Sequence, residues 1–138
     1  MTPEQLELVR TSYASLGADA PAMAHDFYRR LFAADPSAEA LFTETLSVMA
    51  EKFANELDAI VQAITSYDVF ATRVNDLAVR HAAYGVEARH YRAAGDALVG
   101  ALAAHLAPNW DDALEGAWRR AYNLVAELML AASAGVSR

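Results

Sequence analysis

Cysteine is absent from the 138 residues, which excludes a disulfide framework, a thiolate metal site and a cysteine nucleophile together. Lysine occurs once, at Lys52, and 11 basic residues face 18 acidic ones, for a formal charge of −7. A general binder of nucleic acid or of anionic membrane carries the opposite sign, so neither partner is expected. No uncharged apolar run approaches the roughly 20 residues that span a bilayer, and Met1-Thr-Pro-Glu-Gln5 lacks the basic start and apolar stretch of a signal peptide. Hydrophobic residues make up 55%, but alanine inflates that share and the mean hydropathy is only +0.10. The chain reads as a soluble cytoplasmic protein of one domain spanning 1–138. It is long enough to bury about 70% of the surface its unfolded form exposes.

Chemical motifs are also scarce. There is no glycine-rich phosphate loop, no Gly-x-Ser-x-Gly elbow and no His-Glu-x-x-His. Glu87-x-x-His90 stands alone, where a di-iron carboxylate bundle needs two such motifs and two further glutamates.

What the chain has in quantity is helix formers, punctuated by four prolines and six glycines. Thr2-Pro3 with Gln5 is a capped helix start, and Leu6, Val9, Tyr13 and Leu16 follow at helical spacing up to Gly17. A second helix is predicted from about Asp19 to Ala34, with Met23, Phe27, Leu31 and Phe32 on its apolar side. Asp35-Pro36 opens a short helical piece ending near Phe42, and Thr43 to Ser47 reads as an irregular corner. Three helices follow, to about Ile64, over Tyr67 to Ala83 up to Gly85, and over Glu87 to Leu106. After Pro108-Asn109 a last helix runs from about Asp111 to Ala132. With no repeat and no strand alternation the class is all-α. Six to seven helices of unequal length suit crossed packing around a pocket better than a four-helix bundle.

His81 shares a face with Val74 and Leu77 near the end of its helix. Such a residue is either a half-buried core histidine with one hydrogen bond, or the single protein ligand of a haem iron. Periodicity alone does not choose between them. Tyr28, Phe42 and Phe53 are, taken singly, ordinary core aromatics.

Taken together these residues resemble a known family. Leu77-Ala-Val-Arg80-His81-Ala-Ala-Tyr-Gly85-Val86-Glu-Ala-Arg-His90-Tyr91 is similar to the proximal segment of single-domain bacterial haemoglobins and of the globin module of flavohaemoglobins. Phe27-Tyr28-Arg-Arg-Leu-Phe32, then Asp35-Pro36 and Leu41-Phe42, and near the end Ala117-Trp118-Arg-Arg-Ala-Tyr122, match that family's motifs in order across nearly the whole chain.

The resemblance implies a globin fold around haem b, with His81 rather than His90 as the iron ligand. It implies Tyr28 as distal hydrogen-bond donor, Phe42 against the porphyrin and Phe53 as an apolar distal residue. Met49 stands where the family usually has a distal glutamine, which departs from the pattern. Lys52 and Arg80 are placed to pair with haem propionates, and Leu77, Val86, Tyr91 and Tyr122 would line the cofactor. Tyr91 belongs in the family to a His–Tyr–Glu network, and the glutamate position falls near Ser133; a neutral serine there implies a less electron-rich iron and weakens a peroxidase-like reading. Oxygen, nitric oxide and carbon monoxide are the implied ligands. Nitric oxide dioxygenation would need a separate reductase, since no flavin or nicotinamide domain follows the globin. The competing expectation is a haem-free sensor or interaction module of the same fold. The oligomeric state, monomer or homodimer, stays open.

Overall fold

The computed structural model describes the backbone of residues 1–136 and the side chains of residues 1–132. Six α-helices and two 3-10 turns form an all-α fold: α1 (Pro3–Leu16), a turn at Gly17–Asp19, α2 (Ala20–Ala34), a second turn at Pro36–Leu41, α3 (Leu46–Ala63), α4 (Tyr67–Ala83), α5 (Ala88–Leu106) and α6 (Asp112–Val136). The boundaries follow local chemistry. Thr2 accepts the Gln5 N–H at 3.1 Å while Gln5 Oε1 accepts the Thr2 N–H at 3.0 Å, closing the expected capping box. Asp111 Oδ1 accepts the Leu114 N–H at 2.8 Å and caps α6.

Two expected ends shift. The corner read as Thr43 to Ser47 is shorter, because Thr45 Oγ1 accepts the Val48 N–H and starts α3 at Leu46. The last helix continues past Ala132 to Val136, since no proline interrupts it.

Gly85 ends α4 with φ +86°. The Gly85 N–H donates to the Ala82 carbonyl and the Val86 N–H to the His81 carbonyl, both at 3.1 Å. This paired arrangement needs a left-handed residue, and a side chain there would cost about 1–2 kcal/mol. It fixes the backbone of His81 at the corner leading into α5.

The main helix pairings are α2 with α5, α4 with α6, α2 with α3 and α1 with α6. They bury one large cluster from Val9 and Tyr13 through Met23, Phe27, Tyr28 and Leu102 to Trp118. A second holds Ile60, Phe70, Val74, Ala78, Tyr91 and Met129. Buried polar groups in the first are satisfied across long sequence separations: Trp118 Nε1 donates to Ser12 Oγ at 2.9 Å, and the Tyr13 hydroxyl to the Ala54 carbonyl at 2.6 Å. No helix of the described residues is long and apolar enough to cross a membrane.

Candidate functional site

The division between the two clusters locates the site. α3 contributes to both: Ile60 and Ala63 pack with Phe70 and Val74 near the turn that joins α3 to α4. Further from that turn the partners separate. Met49 and Phe53 belong with Tyr28 and Phe42 in the first cluster, whereas Leu77 and Val86 pack with Tyr91 in the second. The paired helices therefore share a core at one end and face different cores at the other. Phe42, Phe53, Leu77, His81 and Val86 are all half-buried there.

His81 is set for metal ligation by its backbone partner. Its Nδ1 lies 2.9 Å from the Leu77 carbonyl; a carbonyl only accepts, so Nδ1 carries the proton and Nε2 keeps its lone pair. Burial pushes the imidazole below its ordinary range, Arg80 adds to that, and the Leu77 bond and Glu56 oppose it. The result favours the neutral form that a metal requires. His90, the rival histidine, is spent elsewhere. The Glu87 N–H donates to its Nδ1 at 2.8 Å, capping α5. That leaves the proton on Nε2, buried 3.8 Å from Asp35 Oδ2 and without a hydrogen-bond partner among the described residues. His90 thus presents no free lone pair. Among the described residues no three His, Asp or Glu side chains converge as a metal site.

On the other side of the division Tyr28 sits among rings: Phe27 at 5.0 Å, Phe42 at 5.4 Å and Phe53 at 5.7 Å between centroids, each edge-on. Phe27 and Phe53 stack at 4.3 Å. Met49 is buried. Tyr28 is 7% exposed, and no hydrogen bond contributes to its state among the described residues, in contrast to the satisfied hydroxyls of Tyr13 and Tyr122. Burial, helped by Glu44, pushes its phenol up to about 12. It therefore stays a protonated donor through the neutral range.

Tyr13 and Tyr122 are raised as well, chiefly by burial. The unfolded chain releases these protons near pH 10 while the folded chain retains them, so the folded state holds more protons and stability falls as pH rises. Denaturant melts should be flat up to about pH 9.5 and then lose up to about 1.4 kcal/mol per pH unit for each buried phenol. Tyr28→Phe should make that alkaline loss shallower; an unchanged slope would contradict the raised titration of its phenol.

The two basic residues expected at propionates have carboxylate partners within the chain. Lys52 Nζ is bidentate to Glu44 at 2.8 and 2.9 Å. Arg80 Nη2 donates to Glu56 Oε1 at 2.9 Å, and Arg73 binds the other oxygen of the same carboxylate at 2.9 and 3.2 Å. Tyr91 is buried, its ring 6.4 Å from that of His81 and 23° from parallel. The Tyr122 hydroxyl donates to the Tyr91 carbonyl at 2.5 Å, and the Tyr122 ring lies so close to Gly95 that a Cβ there would meet it at 2.8 Å. Gly95 is thus what lets α6 brace the backbone of Tyr91. Ser133 lies outside the residues whose side chains are described. Sequence reasoning missed Glu56; the available signal was the seven-residue spacing of Arg73 and Arg80, which places both on one face of α4.

The family model named Globin matches residues 25–129. Curated relatives include flavohemoproteins of Deinococcus radiodurans, 29% identical over 99% of this chain, and of Vibrio cholerae, 25% identical over 94%. The chain spans about a third (34%) of the length of each. Among solved structures, a bacterial globin from Campylobacter jejuni superposes with a TM-score of 0.86 at 21% identity, covering 99% of both chains. An engineered carbene transferase derived from a Rhodothermus marinus protein, provisionally assigned as a nitric oxide dioxygenase, superposes with a TM-score of 0.89 at 28% identity. That match covers 99% of this chain and 96% of the other.

Proposed function

We propose, from the premise that this chain belongs to the globin family, that it holds one haem b through His81 and binds oxygen reversibly, with nitric oxide and carbon monoxide as further ligands. The observation that carries this reading is the pair of tautomers. His81 donates through Nδ1 to Leu77 and keeps Nε2 for a metal, while His90 has given its lone pair to the Glu87 N–H.

The residues fit a haem in other respects. A flat apolar group suits the division between the two clusters, with Phe42, Phe53 and Met49 on one side and Leu77, Val86 and Tyr91 on the other. When bound, haem supplies the gas-binding and redox centre. The chain's own residues then do the rest: His81 holds the metal, the aromatic cluster excludes water, and Tyr28 offers a protonated hydroxyl. Lys52 and Arg80 lie exposed on α3 and α4, and beside their carboxylate partners Glu44 and Glu56 they would retain donors for the acidic arms of a haem.

The likeness to flavohemoproteins and to a protein provisionally assigned as a nitric oxide dioxygenase supports a second step on the same site. Oxygen and nitric oxide would combine to nitrate, one electron per turnover coming from a reductase. Titrating the purified chain with haemin tests the foundation. One equivalent should saturate a Soret band, and the reduced protein should take up carbon monoxide and oxygen. Absence of saturable uptake would leave the haem-free module of globin fold as the reading.

A further inference from the structure

We infer that Glu56 is a positioning residue: a strut that ties α4 to α3 across the division between the two clusters and thereby holds His81 opposite Phe53 and Met49. One carboxylate receives both arginines, Arg73 on Oε2 and Arg80 on Oε1. Counted outward from the turn that joins α3 to α4, Glu56 stands level with Arg73. Arg80 lies seven residues, almost two turns, further along, next to His81. Its side chain reaches back toward the helix N-terminus, the direction helical side chains favour. The apolar packing of α3 on α4 is concentrated near the turn, at Ile60, Ala63, Phe70 and Val74. Beyond that level Met49 and Phe53 pack in one cluster and Leu77 in the other, so the Glu56 pairs supply a direct bond between the two helices on the His81 side. Glu56 is the more enclosed partner, with its side chain 20% exposed against 46% for Arg73 and 57% for Arg80. A single exposed ion pair contributes little, whereas a carboxylate engaged on both oxygens holds a geometry.

This inference rests on the haem reading for its consequence at His81, but the strut itself is measurable without haem. Because the chain has no cysteine, nitroxide labels can be placed through Val48→Cys on α3 and Val79→Cys on α4. Both are exposed and lie toward the ends of their helices far from the turn. Pulsed electron resonance should give a narrow distance distribution for the labelled parent and a broader, longer one for Glu56→Ala. Alanine is a strong helix former, and circular dichroism checks that the helices persist. Arg73→Gln, which removes one of the two engagements, should move the distribution the same way by less. In the unlabelled holoprotein, Glu56→Ala should shift or broaden the resonance Raman band of the iron–histidine bond and speed haem transfer to a scavenger about three- to fivefold. Superimposable distributions for parent and Glu56→Ala overturn the strut. A widened distribution with an unchanged iron–histidine band overturns the positioning of His81. If the parent takes up no haem, the haem reading fails and the distance arm alone decides the strut.

Discussion

His81→Ala should lose most of its haem during purification, while His90→Ala should keep a full Soret band. Changing groups that only orient a metal ligand typically costs 10–100-fold in metal affinity, so removing the one protein ligand should cost more than that. His90→Ala acts on a different part of the molecule. It takes away the acceptor of the Glu87 N–H at the start of α5, a capping loss of about 0.5–2 kcal/mol. The expected pattern is therefore crossed: the His81 variant folds but binds haem poorly, and the His90 variant binds haem but melts earlier. Haem content by pyridine haemochrome and a thermal melt on each variant read the two effects separately. A His90 variant that alone lost the Soret band would reverse the assignment and with it the proximal face.

The two tautomers behind that prediction were not legible in the sequence, although much of the fold was. Helix ends depend on near neighbours, which is why Thr2-Pro3-x-Gln5, Asp35-Pro36 and Gly85 announce their boundaries. Apolar stripes depend on periodicity, so Val9, Tyr13, Leu16, Met23, Phe27, Leu31 and Val74 are found buried as the spacing predicts. The expected corner runs two residues too far because Thr45 caps α3 inside it, and the expected last helix stops four residues short because nothing interrupts α6 at Ala132.

What spacing cannot give is a partner far along the chain or a proton on a given atom. Trp118 and Ser12 meet across 106 residues, and Glu56 takes Arg80 from 24 residues away. His81 and His90 are distinguished by which backbone group each imidazole meets. From composition alone the two histidines are equivalent, and at the level of sequence only the family resemblance separates them. Lys52 illustrates the same limit. Its place on α3 was legible, but its bidentate partner Glu44 comes from the corner before the helix.

Tyr28→Phe is expected to raise the oxygen dissociation rate about tenfold or somewhat more, with a much smaller change for carbon monoxide. The ring is buried among Phe27, Phe42 and Phe53, and the phenol stays protonated well above neutral pH and is not hydrogen-bonded within the described residues. A phenol in that state is costly unless something in the pocket accepts from it. Oxygen gathers partial negative charge when held in such a site, whereas carbon monoxide gathers little, so the same donor discriminates between them. A net hydrogen bond is worth about 0.5–1.5 kcal/mol, more to a charged acceptor, and about 1.4 kcal/mol is tenfold. Neither Met49 nor Phe53 has a donor to substitute, so the loss should not be masked. The variant should also oxidise faster in air, because the retained oxygen is less firmly held. The hydroxyl makes no hydrogen bond within the described residues that its removal could break, so Tyr28→Phe is expected to be as stable as the parent. This combination, faster oxygen release without loss of stability, separates a donor from a space-filling ring. Equal and small effects on both gases, accompanied by a lower melting temperature, would show that the hydroxyl serves the fold and not the ligand.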